Sequence, residues 1–167
     1  ASSAASDVYK RQHFGYNLKA TDMQAAIGVA QLKKFPSFVE RRRHNFAYLL
    51  KKLQKVSDKV ILPEPCKNSN PSWFGFLITC KEAGMRDKVV SYLESHGIQT
   101  RMLFAGNLIK HPCFDEMRRS GEGYRVVGEL INTDRIMDNT FWIGVYPGMT
   151  DEKLDYMAKT IGEAFQM

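Results

Sequence analysis

The sequence predicts a small α/β domain preceded by a helical arm, and three observations lead there. Apolar residues recur at helical spacing over residues 38–56, 85–93 and 154–165, and stripes of that period mark helices with one buried face. Between the stripes lie short runs rich in aromatic and β-branched residues, at 73–80, 98–104 and 140–145, with the length and composition of strands. Proline and glycine punctuate the gaps, at Pro63, Pro65, Pro71, Gly97, Gly106, Pro112, Gly121, Gly123 and Gly128.

In chain order, residues 1–12, ASSAASDVYKRQ, do not pattern like the rest of the chain and read as a non-native or disordered tail. The run GYNLKATDMQAAIGVAQLKK, residues 15–34, then sets a Gly-Tyr-Asn turn before a helix start. Thr21 is an N-cap and Gln24 stands where it closes a capping box, so the first orphan N–H groups are satisfied locally. Ala25, Ala26, Gly28 and Ala30 make that helix small-sided, which predicts close packing on both sides. Phe35-Pro36 restarts the chain, with proline in the first turn of a second, longer helix. The run Arg41-Arg42-Arg43-His44 wraps more than half a turn of it, which suits a solvated face better than one ligand. A strand is expected at 60–62, a loop at 63–71, a strand at 73–80, and a helix carrying Met85, Val89, Val90 and Leu93 that Gly97 ends. Strand 98–104 comes next, then an irregular stretch to 132 and a short helix from Asp134 capped by Thr133. Strand 140–145 leads to a last helix capped by Thr150 and buried along Leu154, Met157, Ala158, Ile161 and Phe165.

Composition narrows the function classes. The chain has 167 residues, 44% apolar and 25% charged, ordinary for one globular domain. No apolar run approaches the ~20 residues that span a bilayer, so no membrane partner is expected. Cys66, Cys80 and Cys113 are odd in number and lack CxxC spacing, which points to a reducing compartment, the cytoplasm. His13, His44, His96 and His111 have no zinc-site spacing. The net charge is +6, with basic residues scattered except at Lys33-Lys34, Arg41-Arg42-Arg43 and Lys51-Lys52. That distribution suits a phosphorylated small molecule, or part of a longer and more acidic protein. No RNA-binding signature accompanies it, so nucleic acid is not the expected partner.

The ordered run at 15–34 resembles the segment shared by the DegT/DnrJ/EryC1/StrS aminotransferase family, the pyridoxal-phosphate enzymes of nucleotide-sugar metabolism. Its members carry the Gly-Tyr-Asn turn, a basic residue two places on, Thr-Asp, and an Ala-rich helix ending in Gln-Leu. The run GIQTRMLFAGNLIKHPCF, residues 97–114, is similar to the branch that holds pyridoxamine phosphate and removes a hydroxyl from a 4-keto sugar. The resemblance covers residues 13–166. It implies the C-terminal small domain of a fold-type I pyridoxal-phosphate-dependent transferase, 58–167, preceded by a helical arm, 13–57. It implies a nucleotide-sugar 3-dehydrase acting on a CDP-4-keto-6-deoxyhexose for 3,6-dideoxyhexose and O-antigen synthesis. The alternative within the family is a sugar aminotransferase.

The residues carry these roles unevenly. By resemblance, the Asn17 amide reaches the phosphate of the neighbouring subunit's cofactor in a homodimer, and Lys19 adds a charge there. Taken alone, the same residues read as an Asx-type turn beside an exposed lysine. Arg101, on the strand at 98–104, is expected to contact the nucleotide-diphosphate sugar, because a guanidinium holds two oxygens at once; an exposed edge-strand arginine is the other reading. The family places its cofactor lysine, or the histidine that replaces it in the dehydrase, upstream of the Gly-Tyr-Asn turn. The aspartate that pairs with the pyridine nitrogen and four cysteines for a [2Fe–2S] cluster lie upstream too. The resemblance therefore implies a chain that is not catalytic alone. It also implies an NAD(P)H-dependent iron–sulfur flavoprotein reductase as partner of the complete enzyme.

Overall fold

A computed structural model describes Tyr16, Leu18 and residues 20–167. It divides into two units, residues 1–35 and residues 36–167. The expected tail at 1–12 lies outside the described residues.

The described part of the first unit is the start of helix α1, assigned over Asp22–Leu53. Its capping box forms as the sequence predicts: Thr21 N–H donates to Gln24 Oε1 at 2.9 Å, and Gln24 N–H to Thr21 Oγ1 at 3.3 Å. The predicted close packing on both sides is not found. Met23, Ile27, Val29, Leu32 and Phe35 are all exposed. Nor does the chain restart at Pro36, which lies inside the helix. A proline within a helix removes one N–H donor and costs about 3 kcal/mol, but the hydrogen bonds of the neighbouring turns carry the helix past it.

The second unit is a four-stranded antiparallel sheet in the order β1-β2-β4-β3, with helices on one side. Strand β1 is Val60–Ile61, β2 is Gly75–Cys80, β3 is Thr100–Met102 and β4 is Thr140–Gly144. Helix α2 is Met85–Ser95, α3 is Asp115–Ser120, α4 is Ile131–Asn139 and α5 is Asp151–Ala164. Register decides which side of each strand is buried. Phe76 lies opposite Ile143, and Ile78 opposite Phe141. With Cys80 and Val145 these side chains point one way and are buried. They pack with Phe46, Leu49 and Leu53 of α1, Val89 and Leu93 of α2, and Leu154 and Ile161 of α5. Because side chains alternate along a strand, Leu77, Thr79, Trp142 and Gly144 point the other way, and these are only half-buried.

The strand expected at 98–104 shortens to three residues at the sheet edge, and 105–132 holds two 3₁₀ turns and α3 before α4. Thr133 lies inside α4 instead of capping it. Thr150 caps α5, accepting from Lys153 N–H.

One stripe of α1 fastens the loop after β4 and α5. Arg41 Nη2 reaches the Met149 carbonyl and Asp151 Oδ1, both at 3.0 Å, and Asn45 Nδ2 donates to the Tyr146 carbonyl at 2.8 Å. Tyr48 Oη donates to Asp155 at 2.9 Å, and Lys52 pairs with the same carboxylate at 3.0 Å. Arg43 donates to the carbonyls of Asn70 and Pro71. The arginine run is therefore shared among several partners, and Arg41, half-buried, and Arg43, exposed, hold loops from a face that still meets solvent.

The core and this polar stripe can each be tested by substitution. Phe76→Ala removes a ring with no exposed surface and should cost about 3–5 kcal/mol in urea denaturation. The polar stripe is tested through pH. Lys52 and then Tyr48 hold the Asp155 carboxyl below its ordinary value. A carboxyl depressed in the folded state contributes stability above its unfolded pKa, and that contribution is lost as pH falls through the lower, folded value. Thermal melts from neutral pH down to about pH 3 should therefore show the advantage of the wild type over Asp155→Asn shrinking at the acid end.

Candidate functional site

Two of the three residues expected at a site, Asn17 and Lys19, lie outside the described residues. The third, Arg101, is exposed on β3. It sits opposite Trp142 in the β3·β4 register, so both side chains belong to the open face of the sheet. Among the described residues its guanidinium has no ion pair or hydrogen-bond partner.

The surroundings of Arg101 are aromatic. Trp142 is fixed from two sides. Its indole Nε1–H donates to the Met102 carbonyl at 3.2 Å, and its ring packs on Gly75, where a Cβ would approach Cε3 to 2.7 Å. Phe74, 59% exposed, stands edge-on to the indole, with centroids 5.2 Å apart and planes at 77°. Beyond them Thr79 and Thr140 share a hydroxyl hydrogen bond of 2.8 Å across the strands. A cation beside aromatic rings on a half-open face can take an anionic, ring-bearing ligand. Residue type and spacing point to Arg101, whereas Trp142 and Phe74 read in the sequence as core packing. Core packing does account for Phe76 and Phe141, and for Trp73, which stacks on Phe46 at 5.3 Å. The strand alternation that buries Phe76 and Phe141 is the signal that assigns Trp142 to the opposite face.

The segment after β3 is held at several points. Phe104 N–H donates to the Met102 carbonyl at 2.7 Å, the same oxygen that takes the indole proton. Gly106 has φ +61°, and a Cβ there would meet Met137 Cγ at 2.5 Å. Asn107 is buried and donates to Asp134 Oδ1 at 2.7 Å; Lys110 pairs with the other oxygen at 2.9 Å. Lys110 first, and Asn107 second, keep the Asp134 carboxyl below its ordinary value. His111 is tied to the Ala105 carbonyl, so the loop histidine is structural.

Every described lysine is exposed. Among the described residues no group of three or more His, Cys, Asp or Glu side chains could hold a metal ion, and no helix is long and apolar enough to cross a membrane. A separate cleft of about 590 Å³ lies between α5 and the end of β4, lined by Ile98, Tyr146, Met149, Tyr156 and Met157 among others; it contains none of the expected residues.

The fold is that of pyridoxal-phosphate-dependent aminotransferase-fold proteins. The Escherichia coli GDP-4-keto-6-deoxy-D-mannose-3-dehydratase, solved with bound hydrated PLP, superposes with a TM-score of 0.71 at 29% identity, over 88% of this chain and 36% of its own. The profile of the DegT/DnrJ/EryC1/StrS aminotransferase family matches residues 1–162, and the chain belongs to that family. It is 53% identical to the lipopolysaccharide biosynthesis protein RfbH of Salmonella typhimurium over 94% of its length. It is 45% identical to the dTDP-4-dehydro-2,6-dideoxy-D-glucose 3-dehydratase of Saccharopolyspora spinosa over 93%. It spans 35% and 33% of those two relatives.

The cysteines make a checkable contrast. Burial pushes the Cys80 thiol up to about 11, whereas Cys66 and Cys113 are exposed. In the native chain a thiol reagent at mildly alkaline pH should modify Cys66 and Cys113 quickly, and Cys80 only on unfolding, as read by mass spectrometry of the labelled peptides.

Proposed function

We propose that the chain is the C-terminal part of a pyridoxamine-phosphate-dependent nucleotide-sugar 3-dehydrase. In this reading the enzyme removes the C3 hydroxyl of a CDP-4-keto-6-deoxyhexose for 3,6-dideoxyhexose and O-antigen synthesis. The observation that carries the reading is the 45% identity, over 93% of the chain, with a protein named as a sugar 3-dehydratase. Arg101, without an ion pair or hydrogen bond among the described residues and beside Trp142 and Phe74, supports it, because a nucleotide-diphosphate sugar offers both phosphate oxygens and a ring.

The complete enzyme is cytoplasmic and homodimeric in this reading. Asn17 donates its amide to the phosphate of the cofactor in the neighbouring subunit, and Lys19 adds positive charge beside it. Pyridoxamine phosphate, when bound, supplies the amine for the C4 ketone and a ring that withdraws electrons as the C3 hydroxyl leaves. Arg101 holds the diphosphate through paired N–H donors, while the aromatic face beside it keeps water from that end of the substrate. The proton-transferring side chain and the ligands of a [2Fe–2S] cluster lie outside this chain, which alone catalyses nothing. Electrons come from an NAD(P)H-dependent iron–sulfur flavoprotein reductase.

The test is product analysis with the polypeptide that contains this chain, the reductase, pyridoxamine phosphate and CDP-4-keto-6-deoxyglucose. NMR of the product should show a C3 methylene. An amino group at C4 with the C3 hydroxyl retained would replace the reading with a sugar aminotransferase. Arg101→Ala should raise KM by about tenfold or more with little change in kcat, because a contact to the diphosphate is made equally in the ground and transition states.

A further inference from the structure

Phe104 is the least comfortable residue of the second unit. It has φ +50°, a left-handed backbone that a bulky L side chain adopts rarely and at a cost. Its ring is 77% exposed, so burial does not offset that cost. Gly106, two residues on, fills a left-handed position with the residue suited to it. The surrounding loop is pinned by Asn107, Met137 and His111, which fixes Phe104 where it stands. The tie to the open face is direct: the Met102 carbonyl accepts from both Phe104 N–H and the indole of Trp142. One oxygen thus fixes the backbone of Phe104 beside the ring that faces Arg101 across the strands.

Resting on the nucleotide-sugar reading, we propose that Phe104 is a further binding contact that stacks on the nucleobase of a nucleoside diphosphate whose phosphates meet Arg101. Every base has a π-face, so stacking binds a ring without selecting strongly among bases. The Arg101 guanidinium, unpaired among the described residues, supplies the charge complement for the diphosphate. Strain held in a pinned loop keeps the ring presented before the ligand arrives, which reduces the ordering cost of binding.

Phe104→Gly is the informative variant, because glycine relieves the positive φ and removes only the ring. Phe104→Trp keeps a ring. The ¹⁵N-labelled chain is titrated with CDP and with pyrophosphate, following the indole Nε1–H signals of Trp73 and Trp142, which Trp142→Phe assigns. CDP should shift the Trp142 signal and leave Trp73 in place. Phe104→Gly should weaken CDP about tenfold or more and leave pyrophosphate unchanged, Phe104→Trp should retain CDP, and Arg101→Ala should weaken both ligands. Equal CDP affinity in wild type and Phe104→Gly, equal wild-type affinity for CDP and pyrophosphate, or no CDP binding at all would each overturn the stacking role. The dehydrase reading is judged separately, by the product formed, so either can fail without the other.

Discussion

The in-register pairing of β2 with β4 is the constraint on which the second unit rests. Five consecutive residue pairs, from Gly75 with Gly144 to Thr79 with Thr140, run across it. A slip of one residue would set Phe76 and Ile78 on the face opposite to Phe141 and Ile143. The same pairing decides the other face. Trp142 must leave the core side because its neighbours Phe141 and Ile143 enter it, and Arg101 must join Trp142 because it is its partner on β3. Core and candidate site are two consequences of one alternation.

Helix α1 locks that arrangement with two adjacent stripes. Phe46, Leu49, Leu53 and, beyond the helix, Val56 are buried. Arg41, Asn45, Tyr48 and Lys52, spaced by four, three and four, carry the polar contacts to the loop after β4 and to α5. The apolar stripe supplies most of the stabilisation through burial. The polar stripe adds direction, since each contact ends on a particular carbonyl or carboxylate. The surface ion pairs among them contribute little individually. Asn45 differs: it is fully buried, and its amide donates to the Tyr146 carbonyl, which also accepts from Met149 N–H.

Much of this is legible in the residues. Helical periodicity marks α2 and α5, alternation with β-branched and aromatic content marks β2 and β4, and the Thr21/Gln24 spacing marks a cap that forms. The misreadings share a cause: local signals are overridden by what the segment packs against. Pro36 looks like a restart, yet one missing donor does not stop a helix whose other bonds persist. Residues 98–104 look like a full strand, yet β3 pairs with β4 over three residues before the pinned loop draws it away. Thr133 looks like a cap, but α4 begins earlier. Of the site, Arg101 can be named from its residue type and spacing, whereas Phe104 and Trp142 cannot. An aromatic ring in a strand-like run usually packs inward, and only register and backbone angle separate the exceptions.

The sheet's two sides also differ in how freely they can change. Replacing Phe76 or Ile143 disturbs side chains from three helices at once, so that side resists drift. Arg101, Phe104 and Phe74 touch few neighbours, and exchanging them leaves the scaffold almost untouched. A fold built this way can be retuned to a new ligand by a handful of outward substitutions while its interior stays as it was.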